Sequence, residues 1–316
     1  MPITIACSRP LPFPSIELGG EEVVFMPPAE GQPMPQEASI YLCTSLEKVD
    51  ADMIASMPQG MGLIANLGIG YNNIDLAAAA SRGIKVSNTP IGSEDTADLT
   101  FALILAACRK VGENERYLRA GGWEKGEPAP RLGMRVHGAV LGLVGFGAIG
   151  QAVARRATGF GMKILYHARS QKAEAAALGA EYMADLDEML GQADIVSVHT
   201  ALNEQTTGMI GAQQFAKFKS GAVVVNTARG PVIDQAALIA ALQEGKLSAA
   251  GLDVFEDEPH VPEALLKMDQ VVLTPHAGSS TGAAHADIMR RGIANITSFI
   301  ETGDVIDRVP LDGEKA

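Results

Sequence analysis

Val140-Leu141-Gly142-Leu143-Val144-Gly145-Phe146-Gly147-Ala148-Ile149-Gly150 decides the fold. Val140 to Val144 is a short apolar run of strand type. Gly145, Gly147 and Gly150 follow in G-x-G-x-x-G spacing, and Gln151 to Phe160 places apolar side chains at helical intervals. A lone match of that pattern is as easily a glycine-rich turn without a ligand. Strand, glycine turn and helix in succession turn it into a dinucleotide fingerprint. Gly145 allows the tight turn, Gly147 lets a pyrophosphate lie against the backbone, and Gly150 lets the helix pack closely on the sheet. The helix N-terminus then offers N–H groups and partial positive charge to phosphates, with Ala148 and Ile149 at its start.

At 316 residues the chain is long enough for two domains. A formal charge of −12, without a Lys/Arg cluster, argues against nucleic acid as a partner. Cys7, Cys43 and Cys108 are an odd, scattered set, which argues against a disulfide framework or a cysteine metal site and fits a reducing, cytoplasmic compartment. No metal site is expected. Met1 to Leu11 lacks a signal core, and the apolar run Leu99 to Cys108 is too short to span a bilayer, so no membrane association is expected.

Outward from the fingerprint, strands alternate with helices. Strands are predicted at Thr4–Cys7, Glu22–Phe25, Ser39–Cys43, Leu63–Asn66 and Lys85–Asn88, with helices at Asp50–Met57 and Ile74–Arg82. Met26 to Pro35, rich in Pro, reads as a loop. A helix capped by Ser93 runs to Arg109, and Gly112 to His137 reads as irregular. After Val140–Val144, strands are predicted at Lys163–His167, Ile195–His199, Ala222–Asn226, Ala249–Val254 and Val271–Leu273, and a last helix spans Ala283–Glu301. The pattern implies an α/β protein with two doubly wound parallel-sheet domains. The middle segment, 93–281, is the dinucleotide-binding domain, inserted in a second domain made of 1–92 and 282–316.

Cofactor choice is read past the second strand, where NAD sites usually place an acid. Here the strand runs into Ala168-Arg169-Ser170, and the nearest acid is Glu174, inside the next helix. Arg169 and the Ser170 hydroxyl suit a 2′-phosphate, so NADP(H) is preferred, with NAD(H) as the alternative. Three further motifs each follow an apolar strand: Asn226-Thr227-Ala228-Arg229-Gly230, Asp253 to Pro259, and Thr274-Pro275-His276-Ala277-Gly278. Strand ends on the carboxyl side line the ligand crevice of an open parallel sheet. There His276 is the candidate general acid–base, Glu258 its hydrogen-bonding support and Arg229 the grip on a carboxylate. Singly these are a structural histidine, a surface arginine and a solvated acidic run; in this order they read as a site.

These motifs resemble those of the D-isomer-specific 2-hydroxyacid dehydrogenase family: G-x-G-x-I-G, N-T-A-R-G, D-V-F-x-x-E-P and T-P-H-x-G-S. Gly68 to Asp75, Ser87 to Pro90 and Thr96 to Asp98 are similar to further motifs of that family. The resemblance implies a Rossmann domain inserted in a flavodoxin-like substrate domain. It implies reduction of glyoxylate, hydroxypyruvate or a related 2-keto acid to the D-2-hydroxy acid, by a homodimer. It also implies that the N–H groups of Ile69 and Gly70 bind the substrate carboxylate with Arg229. Thr96, Thr227, Ala228, Asp253, His276 and Gly278 would lie around the nicotinamide and its ribose, and His199, Thr200 and Leu202 on the adenosine side. The chain departs from the pattern at Ala148 and His285, where Arg is frequent, and at Ala201-Leu202-Asn203, where Pro-Leu-Thr is. Trp123 reads either as a contact across a dimer interface or as a core anchor. The rival readings are a nucleotide-sensing corepressor of the same fold, and a dehydrogenase of another small anion.

Overall fold

The computed structural model describes residues 2–27, 33–129 and 132–310, so residues 28–32 of the Pro-rich loop lie outside the described residues. The chain divides into two compact units, residues 1–92 with 281–316 and residues 93–280.

The first unit carries β1 (Ile3–Cys7), β2 (Ser15–Leu18), β3 (Glu21–Met26), β4 (Ala38–Thr44), β5 (Leu63–Leu67) and β6 (Lys85–Ser87), with helices α1 (Ala51–Ser56) and α2 (Leu76–Ser81). Its sheet has the order β2-β3-β1-β4-β5-β6. Without β2 this is the 2-1-3-4-5 order of flavodoxin-like folds. Along each strand alternate side chains go to opposite faces. Ile40 and Leu42 pack with Ile296 and Phe299 of the C-terminal helix (Gly282–Thr302), while Tyr41 and Cys43 face Ile54 and Ala79 of α1 and α2. Both faces are covered, which is what near-continuous apolar strands require. One correction is at the edge: β2 was not expected, and it pairs antiparallel with β3 through Leu18↔Glu21. Gly19 and Gly20 join them with φ of 57° and 79°, the left-handed pair a two-residue hairpin turn needs.

The second unit begins with α3 (Ser93–Arg109) and α4 (Val111–Arg119). Then come β7 (Val140–Val144), α5 (Ala148–Gly159), β8 (Lys163–His167), β9 (Ala180–Tyr182), α6 (Leu186–Gln192), β10 (Ile195–Val198), α7 (Ala212–Lys217), β11 (Ala222–Asn226), α8 (Gln235–Gln243), β12 (Leu247–Leu252), α9 (Glu263–Leu266) and β13 (Val271–Leu273). The sheet order is β13-β12-β11-β10-β7-β8-β9, and every pairing is parallel. This is the Rossmann order with one more strand, and it reverses between β7 and β10. Leu141, Leu143, Val223 and Val225 pack toward α3 and α5, and Val144, Val196 and Val224 toward α6, α7 and α8.

Two expectations are corrected here. The segment read as irregular contains α4, an amphipathic helix none of whose residues is buried. Ser93 is not a cap but the first helical residue. Elsewhere the helix starts follow their side chains. Asp50, Asp75, Asp185, Asp234 and Thr281 each accept a hydrogen bond from the backbone N–H three residues on. Each such cap stabilises by about 1 kcal/mol.

Candidate active site

The switch point of the second sheet is built by close backbone approach. Gly145 leaves β7 with φ of 100°, and a Cβ there would sit 2.7 Å from the backbone of His199 and Thr200 at the end of β10. A Cβ on Gly150 would sit 2.5 Å from the Gly145 carbonyl oxygen. Gly147 differs: a Cβ would meet nothing within 4 Å. Gly147 is also the N-cap of α5 and has no side chain to cap it. Among the described residues the first N–H groups of α5, from Ala148, Ile149 and Gly150, have no acceptor, and the space beside Gly147 is open, which suits a pyrophosphate. The residues present fit a dinucleotide.

Beside them, burial pushes the His199 imidazole down to about 3, so the ring is neutral. Its Nε2 lies 2.8 Å from Ser197 Oγ. Its Nδ1 has no hydrogen-bond partner among the described residues. Thr200 and Leu202 follow, half-buried.

Arg169 and Ser170 lie past β8, both exposed. The loop that carries them is held by two phenols: Tyr166 accepts from the Lys172 N–H at 2.9 Å, and Tyr182 donates to the Ala168 carbonyl at 3.2 Å. Among the described residues the Arg169 guanidinium has no carboxylate partner, and Glu174 stands exposed in the following 3₁₀ turn.

The other candidates come from the ends of β11, β12 and β13. His276 Nδ1 and Glu258 Oε2 are 2.6 Å apart. Glu258 Oε1 accepts the Phe255 N–H at 2.9 Å. Burial raises the Glu258 carboxyl, but the hydrogen bonds from His276 and Phe255 and the positive charge of Arg229 outweigh it, leaving it below the usual carboxylate range. It is thus ionised at neutral pH. A depressed folded value contributes stability above the unfolded one, lost as pH falls through the folded value. Glu258→Gln should therefore flatten the loss of thermal stability on acidification below about pH 4.5, measured by melting temperature against pH.

Arg229 is largely buried, and that desolvation pulls its guanidinium down against the pull of Glu258. Its Nη1 donates to the Ala228 carbonyl at 2.7 Å. Asn226 sets the turn: its amide nitrogen donates to the Arg229 carbonyl and its oxygen accepts the Ala228 N–H, both at 3.0 Å. Thr227, buried, pairs its hydroxyl with Thr100 at 2.8 Å, and Thr100 in turn lies 2.8 Å from the Thr96 carbonyl. That second contact takes the Thr100 proton, so Thr227 is the donor of the pair and keeps its lone pairs for a ligand.

Asp253 is 1 % exposed. Its carboxylate accepts from Thr274 Oγ1 at 2.6 Å and from the N–H groups of Ala277 and Gly278 at 2.7 and 2.9 Å. Burial still leaves its carboxyl above the ordinary range. Its backbone carbonyl accepts the His276 N–H at 2.8 Å, and His276 itself has φ of 51°. Asp253 thus holds the loop on which His276 sits in a left-handed conformation that non-glycine residues adopt only when their surroundings impose it. Gly278 lies between Thr96 and Asp253: a Cβ would be 3.3 Å from Thr96 and 3.4 Å from Asp253. Asn226, Thr100, Ser197 and Thr274 carry this scaffold without having been singled out from the sequence. Thr100 and Thr274 meet partners far along the chain, Thr227 and Asp253, while Asn226 and Ser197 bond to residues two or three positions on. Glu256, in the acidic run, accepts the Gln235 N–H at 2.9 Å at the start of α8. Trp123 is 73 % exposed, so it is not a core anchor.

In the first unit, Ile69 and Gly70 lie in the loop after β5, half-buried. Among the described residues neither N–H has an acceptor. Among the described residues no group of three or more His, Cys, Asp or Glu side chains could hold a metal ion, and no helix is long and apolar enough to cross a membrane.

Residues 101–278 match the family model for the NAD-binding domain of D-isomer-specific 2-hydroxyacid dehydrogenases. The chain is 44 % identical over 269 residues to a glyoxylate reductase of Thermococcus litoralis, covering 83 % of this chain and 80 % of that one. It is 41 % identical over 262 residues to 4-methyl-2-oxopentanoate reductase A of Aspergillus oryzae, covering 83 % and 78 %. In three dimensions it is similar to an NADPH-dependent glyoxylate/hydroxypyruvate reductase of Sinorhizobium meliloti, solved with NADP and malonate. The TM-score is 0.88 at 29 % identity, over 100 % of both chains. With two flavodoxin- and Rossmann-ordered sheets and these relatives, the protein is an NAD(P)-dependent oxidoreductase and belongs to the D-isomer-specific 2-hydroxyacid dehydrogenase family.

Proposed function

We propose that the protein reduces a small 2-keto acid, of the glyoxylate or hydroxypyruvate class, to the D-2-hydroxy acid at the expense of NADPH. The observation that carries this is the hydrogen-bonded Glu258–His276 pair at 2.6 Å, with the positive charge of Arg229 acting on the same carboxylate. The nicotinamide supplies the hydride. The protein supplies the rest. An ionised Glu258 keeps a proton on His276 Nδ1, so Nε2 is the atom that gives its proton to the keto oxygen. Arg229 holds the substrate carboxylate and, with protonated His276, offsets the negative charge that develops on that oxygen. The donors at Ile69 and Gly70 are assigned to the carboxylate as well. Thr96, Thr227, Ala228, Asp253 and Gly278 are assigned to the nicotinamide and its ribose, and His199, Thr200 and Leu202 to the adenosine.

The test is consumption of NADPH, followed by its absorbance, with glyoxylate, hydroxypyruvate, pyruvate and phenylpyruvate, repeated with NADH. Turnover with one of the first two is expected. Absence of turnover with all four and either cofactor would sink the reading.

The preference for NADPH rests on Arg169, an exposed cation with no carboxylate partner among the described residues. Arg169→Ala should raise KM for NADPH about tenfold or more, the scale of one lost charged hydrogen bond, and leave KM for NADH nearly unchanged. A homodimer is proposed on the exposed apolar side chains of Val111, Leu118 and Trp123, which light scattering would check against the 33.1 kDa of one chain.

A further inference from the structure

The first three carbonyls of the loop after β5 are each tied down. Gly68 O accepts the Thr89 N–H at 3.0 Å and Asn66 Nδ2 at 3.4 Å. Ile69 O accepts Asn88 Nδ2 at 2.8 Å, and Gly70 O accepts the same Asn66 amide at 2.9 Å. With successive carbonyls drawn to the protein side, the N–H groups of Ile69 and Gly70 are left without acceptors among the described residues. Successive backbone N–H groups held in this way form an anion-binding concavity.

Behind the loop the ties continue into the core of the first unit. Asn295, fully buried in the C-terminal helix, donates to the Asn88 carbonyl at 3.1 Å and to Asp307 Oδ2 at 3.0 Å, and accepts the Asp307 N–H at 2.8 Å. Arg291 clamps both Asp307 oxygens, at 2.5 and 2.7 Å. The Asp307 carbonyl accepts the Asn88 N–H at 3.2 Å. Asn88 is therefore fixed at its N–H and its carbonyl before its side chain reaches Ile69. Bonds of this density favour one geometry for the loop, because a carbonyl or amide that lost its partner inside would cost more than a new bond returns.

We propose that Asn66 and Asn88 are positioning residues that turn the N–H groups of Ile69 and Gly70 toward the substrate carboxylate, with Asn295, Asp307 and Arg291 as their buttress. This rests on the 2-keto acid reading above. Neither asparagine touches substrate; each acts through the backbone it holds. An amide is the required group, since its NH2 must donate to carbonyls. A carboxylate of the same shape would set oxygen against oxygen.

The experiment uses the full-length protein with Asn88→Ala and Asn88→Asp, and Asn66→Asp beside them. Asn88 is half-buried, so its variants decide the matter even where Asn66→Asp does not fold. KM for the keto acid should rise about tenfold in Asn88→Ala and further in Asn88→Asp, with kcat at saturation within about threefold of wild type. Kd for NADPH, by fluorescence titration, should not move. Inhibition by malonate, used as a dead-end carboxylate probe, should weaken in step with KM. An active wild type whose Asn88 variants keep its KM and malonate inhibition overturns the positioning role. So does a rise in KM accompanied by an equal loss of NADPH affinity, the mark of a general structural defect. A wild type inactive on every keto acid tested overturns the functional reading instead.

Discussion

Replacing His276 with asparagine is expected to lower kcat for keto acid reduction by about 10²–10⁴-fold, the range for loss of a positioned general acid, and to leave NADPH binding intact. Asparagine is the informative replacement for two reasons. At φ of 51° the position is left-handed, and asparagine enters that region more easily than most residues. Its amide can also still donate to Glu258, so the loop that Asp253 holds stays in place. What is removed is the proton on Nε2. Stopped-flow and steady-state rates with NADPH and hydroxypyruvate, together with fluorescence titration of the cofactor, make the measurement. A variant with more than about a tenth of wild-type turnover would take His276 out of the mechanism.

Gly230→Ala is expected to destabilise the protein by at least about 3 kcal/mol, lowering the melting temperature by roughly 10 °C, because the new atom has nowhere to go. Its Cβ would sit 1.9 Å from the carbonyl carbon and oxygen of Phe255 and 2.5 Å from the Glu256 nitrogen. Those are backbone atoms of the strand end that carries Glu258, so the clash cannot be relieved by a rotamer. The contrast is Gly147→Ala, whose Cβ meets nothing within 4 Å. Its melting temperature should match wild type while NADPH binding weakens, since the added methyl occupies the space assigned to the pyrophosphate. Equal melting curves for Gly230→Ala and wild type would mean the two strand ends are not packed backbone to backbone.

Much of this fold could be read along the chain because the strands are buried on both faces. Val140–Val144, Lys163–His167, Ala222–Asn226 and Val271–Leu273 are apolar runs bounded by turn residues, and each forms over the residues expected. What escaped lies at the surface. The helix Val111–Arg119 contains Gly112 and buries no residue, and its aliphatic side chains, Val111 and Leu118, are too few to mark it along the chain. The edge strand Ser15–Leu18 has no fully buried residue. Its signal was the Gly19-Gly20 pair rather than its own composition.

The candidate site divides in the same way. Arg229, Glu258 and His276 could be named from the chain, since each follows an apolar strand in an ordered set of motifs. Their partners could not. That Asp253 gathers the Thr274–Gly278 loop, and that Thr100 accepts the Thr227 hydroxyl, are contacts between segments distant in sequence. A single chain determines which local structures form, through burial pattern and turn chemistry, because those depend on neighbours a few residues away. Which side-chain oxygen meets which N–H, and so which proton a histidine is free to give, was decided only when seven parallel strands brought their carboxyl ends together. Hydrogen bonds form over about 3 Å, and spacing along a chain carries no information at that range.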